Sequence, residues 1–138
     1  MSAVEFFAAM RVPSTTHNDL VAVPMAHGGA RIVKSAALRD AEAAWESHLA
    51  RFAPERPLTG PLAADVRLCW AADSRHPAGS PKATRPDLDN IEKTLWDVMG
   101  RLGFFENDAQ VALKRVAKLY GDVPGVYVRL EEMLQDEA

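Results

Sequence analysis

The stretch RPDLDNIEKTLWDVMGRLGFFENDAQV, residues 85–111, decides how the rest of this 138-residue chain is read. Within it Ile91, Leu95, Val98 and Leu102 recur at intervals of four, three and four residues. Such intervals put all four on one apolar stripe, so the spacing predicts a helix over about 89–102. Gly103 supplies its left-handed stop. Asp89, followed three residues later by Glu92, resembles a capping box in which the aspartate accepts N–H groups that the first turn leaves unpaired.

Working outward, AADSRHPAGSPKATRP (71–86) is rich in Pro, Gly and Ser and carries Arg75, Lys82 and Arg85, the composition of an exposed basic loop. Before it, ADVRLCW (64–70) alternates Val66, Leu68 and Trp70 with Asp65, Arg67 and Cys69, the pattern of a central strand with one face on a core. On the other side, AQVALKRVAKL (109–119) and GVYVRLEEM (125–133) read as two strands, with YGDVPG turning between them.

Nearer the N-terminus, Leu38, Ala41, Trp45, Leu49 and Phe52 follow Ser35 at close to helical spacing, and Pro54 and Pro57 stop the run, which predicts a first helix over about 36–53. Residues 3–11 have strand character around Val4, Phe6 and Phe7 and end in the turn-forming RVPSTTHND. LVAVPMAHGGARIVK (20–34) offers a hairpin or a mobile loop around Gly28 and Gly29, with Pro24 weakening its first half. The expectation is an α+β fold: one compact domain over residues 1–138, a mixed β-sheet of four to six strands packed with about two helices.

Composition is that of an ordinary globular protein, 48% hydrophobic and 25% charged, and no apolar run approaches the ~18 residues that span a bilayer. No membrane partner is expected. The opening MSAVEFFAAMRVPS has Glu5 inside its apolar stretch and no basic leader, so a cytoplasmic setting is expected. A single cysteine, Cys69, cannot form an internal disulfide and is expected to serve as a small apolar side chain. The net charge of −3 is unevenly spread: residues 75–118 hold eight basic side chains against six acidic ones, whereas residues 119–138 hold only Arg129 against five acids. The total therefore does not exclude a polyanionic partner.

Asp87 and Asp89 flank the start of the central helix, and Asp108 follows its end. Carboxylates held together repel unless one is protonated or a cation lies between them, and hard oxygen ligands suit Mg²⁺ or Mn²⁺. Lys93, one turn beyond Asp89, points away from the apolar stripe, where its charge can stabilise a phosphoryl transition state. Asn90 can hold a neighbouring ligand by a hydrogen bond. The structural alternative is that Asp89 only caps the helix and forms with Lys93 an exposed ion pair of a few tenths of a kcal/mol. A helix of ~14 residues is also ~21 Å long, and Asp108 leaves from its far end; an extended return through residues 103–108 nearly covers that distance.

The ordered combination of R-P-D-x-D-N, a lysine, a helix ending in Gly-aromatic and an acid before A-Q-V resembles the RusA family of Holliday junction resolvases, endodeoxyribonucleases common in phages and prophages. The resemblance covers residues 85–130 well and the earlier residues in outline. It implies that Asp87, Asp89 and Asp108 are catalytic acids that bind Mg²⁺ or Mn²⁺ and that Lys93 is the essential lysine. It further implies a homodimer that grips a four-way DNA junction and makes paired nicks in DNA recombination and repair. The family often has two adjacent acids before A-Q; here the first is Asn107. Arg75, Lys82, Arg85, Lys114 and Lys118 are candidates for DNA phosphates, or else a solvated surface. Trp45, Trp70 and Trp96 read as core, Phe105 either as packing under the acidic loop or as meeting the junction, and His17, His27, His48 and His76 as surface or loop residues. Two other readings stay open: a catalytically silent branched-DNA-binding protein, and a metal–nucleotide enzyme, for which no Gly-rich phosphate loop is present.

Overall fold

The structure, a computed structural model, describes residues 2–16 and 18–134. Its elements are β1 (Ala3–Ala9), β2 (Leu20–Pro24), β3 (Ala30–Lys34), α1 (Ala36–Leu49), β4 (Leu62–Ala71), α2 (Leu88–Arg101), β5 (Val111–Gly121) and β6 (Gly125–Glu132), with 3₁₀ turns at Ala50–Phe52 and Asp108–Gln110. A four-stranded sheet has the order β1-β6-β4-β5, and β2 and β3 form a separate two-stranded sheet. β6 is antiparallel to both β1 and β4, while β4 and β5 are parallel. This is the α+β architecture with two helices and a mixed sheet that the patterning predicts. Among the described residues no helix is long and apolar enough to cross a membrane.

Period-two alternation builds one face of the sheet. Phe6 and Val66 both register on Val128, and Ala8 and Leu68 both register on Val126, so one apolar row crosses three strands. Trp45 and Leu49 of α1 and Ile91, Leu95, Val98 and Met99 of α2 cover that face, all of them buried. The opposite face carries Glu5, Asp65, Arg67, Arg115 and Arg129 in cross-strand rows, and among the described residues both helices pack on the other side. Parallel strands cannot be joined by a tight turn, so the chain between β4 and β5 must cross over the sheet, and α2 is that crossover.

Ser35 caps α1 as its position suggests, its hydroxyl accepting the Leu38 N–H at 3.0 Å. The α-helix ends at Leu49 rather than near residue 53, because the last turn tightens into 3₁₀ geometry before Pro54. β1 stops at Ala9, two residues short of the expected end, although Met10 and Val12 remain buried. The hairpin forms, and Pro24 sits at its last pair, opposite Ala30, where a missing N–H costs little. One expectation fails at α2. The helix begins at Leu88 with Asp87 at the cap position, and Glu92, instead of reaching back to Asp89, is buried and paired with Lys114 of β5. Neutralising a buried carboxylate outweighs a local capping bond.

Trp45 and Trp96 are buried and Trp70 is half-buried against the core, as their apolar settings suggest. Phe104 and Phe105 are both buried, so Phe105 packs under the acidic turn and is not presented to a partner. Cys69 is half-buried, and burial pushes its thiol pKa up, in keeping with an inert apolar role. His27 and His48 are exposed, whereas His76 stacks on Tyr120; His17 lies outside the described residues.

Gly125 of β6 leaves no room for a side chain against β1: a Cβ there would stand 2.3 Å from the Ala8 carbonyl oxygen and 2.8 Å from the Phe7 ring. Gly125→Ala is therefore expected to destabilise the fold by about 2–3 kcal/mol in urea unfolding. Gly121→Ala, whose Cβ would meet its nearest atoms at an ordinary 3.6 Å, should leave stability within about 0.5 kcal/mol.

Candidate active site

The N-terminal end of α2 is held from two sides. After β4 the chain turns back and runs antiparallel beside the edge strand β5, with Gly79 N–H donating to Tyr120 O at 2.8 Å, Tyr120 N–H to Ser80 O at 2.9 Å and Lys82 N–H to Lys118 O at 3.0 Å. The Lys118 ammonium then donates to the carbonyls of Thr84 at 2.6 Å and Pro86 at 2.7 Å, the two residues that bracket Arg85. Asp87 follows directly. Its backbone is extended, its carbonyl accepts the Ile91 N–H at 3.1 Å, and its carboxylate makes no capping bond. Asp87 and Asp89 are both exposed, with their carboxylates open to solvent and to a ligand. Lys93 is exposed on the outer side of α2 and has no ion pair among the described residues. Asn90 is half-buried, and its Oδ1 accepts from Asn18 Nδ2 at 3.0 Å, so its tie is to the segment before β2 and not to an acid.

The other end of α2 carries Asp108 on a rigid turn. Asn107 caps this turn, its Oδ1 accepting the Ala109 N–H at 2.8 Å. Asn and Asp are equivalent caps, so the neutral residue at 107 costs the turn nothing. Gln110 does more than its place in the motif discloses. Its Oε1 accepts the N–H groups of Glu106 at 2.9 Å and Asn107 at 3.0 Å, while its Nε2 donates to the carbonyls of Leu58 and Gly60, each at 3.1 Å. All four hydrogen-bonding positions of the amide bind backbone, and they fix the Asp108 turn to the loop before β4. Sequence reasoning missed this role; the one local signal was a Gln three residues after a capping Asn.

Asp108 does not reach Asp87 and Asp89 within the chain. It is exposed and lines one cavity of about 290 Å³ with Trp96, Val111, Ala112 and Lys114, and another of about 310 Å³ with Asp97, Gly100 and Glu106. Trp96 lies nine residues beyond Asp87 along α2, or ~14 Å at 1.5 Å per residue. Among the described residues no group of three or more His, Cys, Asp or Glu is close enough to hold a metal ion. The return of residues 103–108 that would have closed the gap leads instead into β5, because Val111 must register on Leu62. Within one chain, then, the donor set is split in two: Asp87 with Asp89, and Asp108 alone.

The candidate phosphate-binding cations also divide. Lys114 pairs with buried Glu92, which additionally accepts from Trp96 Nε1 at 3.3 Å. Lys118 is engaged by two carbonyls, and Lys82 donates to Thr84 Oγ1 at 2.8 Å while lying over the rings of Trp70 and Tyr120. Arg75 and Arg85 are exposed and make no ion pair among the described residues. Of the five, the two arginines are the freest to meet a phosphate.

Gln110→Glu keeps the shape of the side chain but turns an oxygen toward two carbonyls; the expected loss is about 1–3 kcal/mol of stability, with faster amide hydrogen exchange over residues 106–110. Lys118→Met leaves two carbonyls without their donor. It should cost about 1–2 kcal/mol and raise exchange over residues 82–90 while β4 and β6 stay protected, and Lys118→Arg should recover part of that protection.

The model of the family described as Endodeoxyribonuclease RusA matches residues 13–131. The chain is 29% identical over 92 residues to the uncharacterized protein YqaN of Bacillus subtilis, covering 58% of this chain and 63% of that protein. It is 36% identical over 55 residues to the crossover junction endodeoxyribonuclease RusA of Escherichia coli K12, covering 40% of this chain and 46% of the relative. The enzyme of the same name from Enterobacteria phage 82 matches over the same shares. The chain thus spans about half to three-fifths of the length of these curated relatives. With a match that runs from the turn after β1 to the end of β6, the chain belongs to the RusA endodeoxyribonuclease family.

Proposed function

We propose that the protein is a Mg²⁺-dependent, structure-specific endodeoxyribonuclease that resolves four-way DNA junctions by paired symmetric nicks, working as a homodimer in DNA recombination and repair. The observation that carries this reading is the placement of open carboxylates at opposite ends of one helix in a member of the RusA family. A two-fold axis crossing α2 near its middle sets two copies of the helix antiparallel. It brings Asp87 and Asp89 of one copy toward Asp108 of the other, and by symmetry it does so twice. Two equivalent sites are what two symmetric nicks require.

The donor chemistry fits a hard divalent ion: three carboxylates, with Asp87 and Asp89 two residues apart and uncommitted to internal bonds, leave room for water and phosphate oxygens. Mg²⁺ or Mn²⁺ bound there supplies Lewis acidity and lowers the pKa of a water. The chain's own residues do the rest. Lys93, exposed one turn along from Asp89, places a positive charge where the phosphorus centre gains negative charge during attack. Lys118 fixes the approach to Asp87 through the Thr84 and Pro86 carbonyls, and Gln110 fixes the turn of Asp108, so the acids are pre-positioned before DNA arrives.

Purified protein with Mg²⁺ should nick a synthetic four-way junction and spare a linear duplex. Asp87→Asn and Asp108→Asn should each lose at least about a hundredfold in cleavage rate while still binding the junction. Mixing these two inactive variants is the sharper measurement. If each site uses Asp87 of one copy and Asp108 of the other, the heterodimer contains one intact site and nicks a single strand. Full activity in either variant alone sinks the assignment, and a silent mixture sinks the shared site.

A further inference from the structure

A polar cleft of about 360 Å³ opens between the turn that follows β1 and the start of α2, lined by Ser14, Thr16, Arg85, Pro86, Asp87 and Asn90. Its volume lies within the about 300–1,000 Å³ range of small-molecule sites. Its chemistry is lopsided. Ser14 and Thr16 contribute hydroxyls and Arg85 a guanidinium without an ion pair among the described residues. Asn90 has its oxygen occupied by Asn18, which leaves its amide nitrogen as a donor. Asp87 alone is an obligate acceptor. A cleft that offers several donors and one cation beside a carboxylate suits a tetrahedral oxyanion held against the donor wall, away from Asp87.

The wall is tied to the fold on both sides. Met10 N–H donates to Pro124 O at 3.1 Å and Val12 is buried, which anchors the turn on its β1 side. On the other side Asp19 N–H donates to Thr16 O at 2.9 Å, Ser35 N–H to Asp19 O at 3.1 Å, and Asn18 ties to Asn90. A donor set held in place before binding takes up an anion at a lower reorganisation cost.

We propose that this cleft seats a phosphodiester of the cut strand that is not itself cleaved, the one next to the scissile linkage, through Ser14, Thr16, Arg85 and the Asn90 amide. The identity of the strand rests on the nuclease reading above; the anion-binding chemistry of the cleft does not. Gripping the neighbouring phosphate fixes the register of the strand over Asp87, so that the scissile group arrives aligned for attack. It does so without reading sequence, because backbone contacts carry none.

The test couples a neutral linkage to the wall. A four-way junction carrying one methylphosphonate adjacent to the cleavage position should bind the wild-type protein about tenfold more weakly than the unmodified junction. The triple variant Ser14→Ala, Thr16→Val, Arg85→Gln should bind the unmodified junction about tenfold more weakly and lose nothing further on the modified one. Losses that multiply independently overturn the proposal. A second measurement uses only the wild-type protein: titration with inorganic phosphate, followed by ¹⁵N NMR, should shift the Ser14, Thr16 and Asn90 amides and the Arg85 Nε. Shifts elsewhere only, or none, overturn it. Phosphate binding at these residues in a protein that never nicks a junction would instead refute the nuclease reading and leave the anion site in place.

Discussion

The parallel pairing of β4 with β5 is the constraint from which the rest of the molecule follows. Two parallel neighbours cannot be joined by a hairpin, so the intervening chain has to travel back over the sheet, and α2 is the return. Its apolar stripe covers Val66, Leu68, Val126 and Val128, and its outer side faces solvent. Because the helix spans the sheet, whatever stands at its first residue and whatever follows its last are held far apart. Asp87 is at one limit and Asp108 is beyond the other. β5 runs back beside the helix, with Lys114 meeting Glu92 and Lys118 meeting the segment just before Asp87. One topological choice thereby sets both acids and the cations that support them.

Charge in this molecule is used first inside the fold. Lys82, Lys114 and Lys118 stand in a stretch with an excess of basic residues, yet each has an internal partner: a hydroxyl and two aromatic rings, a buried carboxylate, and two backbone carbonyls. A buried Glu92 without Lys114 would be an uncompensated charge, and that penalty exceeds what a surface lysine gains from one screened phosphate contact. Arg75 and Arg85 of the same loop make no ion pair among the described residues. Arg85 follows the same loop to Asp87 and lines one cleft with Ser14 and Thr16, the position from which the proposed anion contact is made.

Separation of the acids gives the proposed dimer a chemical reason. A single chain carries Asp87 and Asp89 at one end of α2 and Asp108 beyond the other, and the two-fold axis of the proposed dimer would join two such halves into two whole sites. On that proposal an isolated chain would not cut DNA, and cleavage would be tied to a symmetric assembly matched to a symmetric substrate. Residues that never touch the reacting phosphorus then become important, because they fix the two halves. Gln110 does this for Asp108 with four backbone contacts, and Lys118 does it for Asp87 with two.

Local periodicity made most of the fold legible. The stripe Ile91–Leu95–Val98–Leu102, the alternation in ADVRLCW and GVYVRLEEM, and Ser35 before Leu38 each report an element from neighbouring residues alone, since the helical and strand repeats are properties of the backbone. Asp87, Asp89, Asp108 and Lys93 stood out through their order around one helix taken together with the resemblance to the RusA family, because the spacing by itself equally suits a capped helix with an exposed ion pair. Sequence by itself did not determine where those residues meet. Glu92 looked like half of a capping box and became the partner of Lys114; Lys118 looked like a phosphate ligand and became a clamp on Thr84 and Pro86; Ser14 and Thr16 looked like a turn and became one wall of a cleft. In every case the deciding partner lies more than twenty residues away along the chain, so its proximity exists only once the sheet and the crossover have formed. Short-range pattern fixed the elements, and long-range packing decided which charges are spent on the fold and which remain for a ligand.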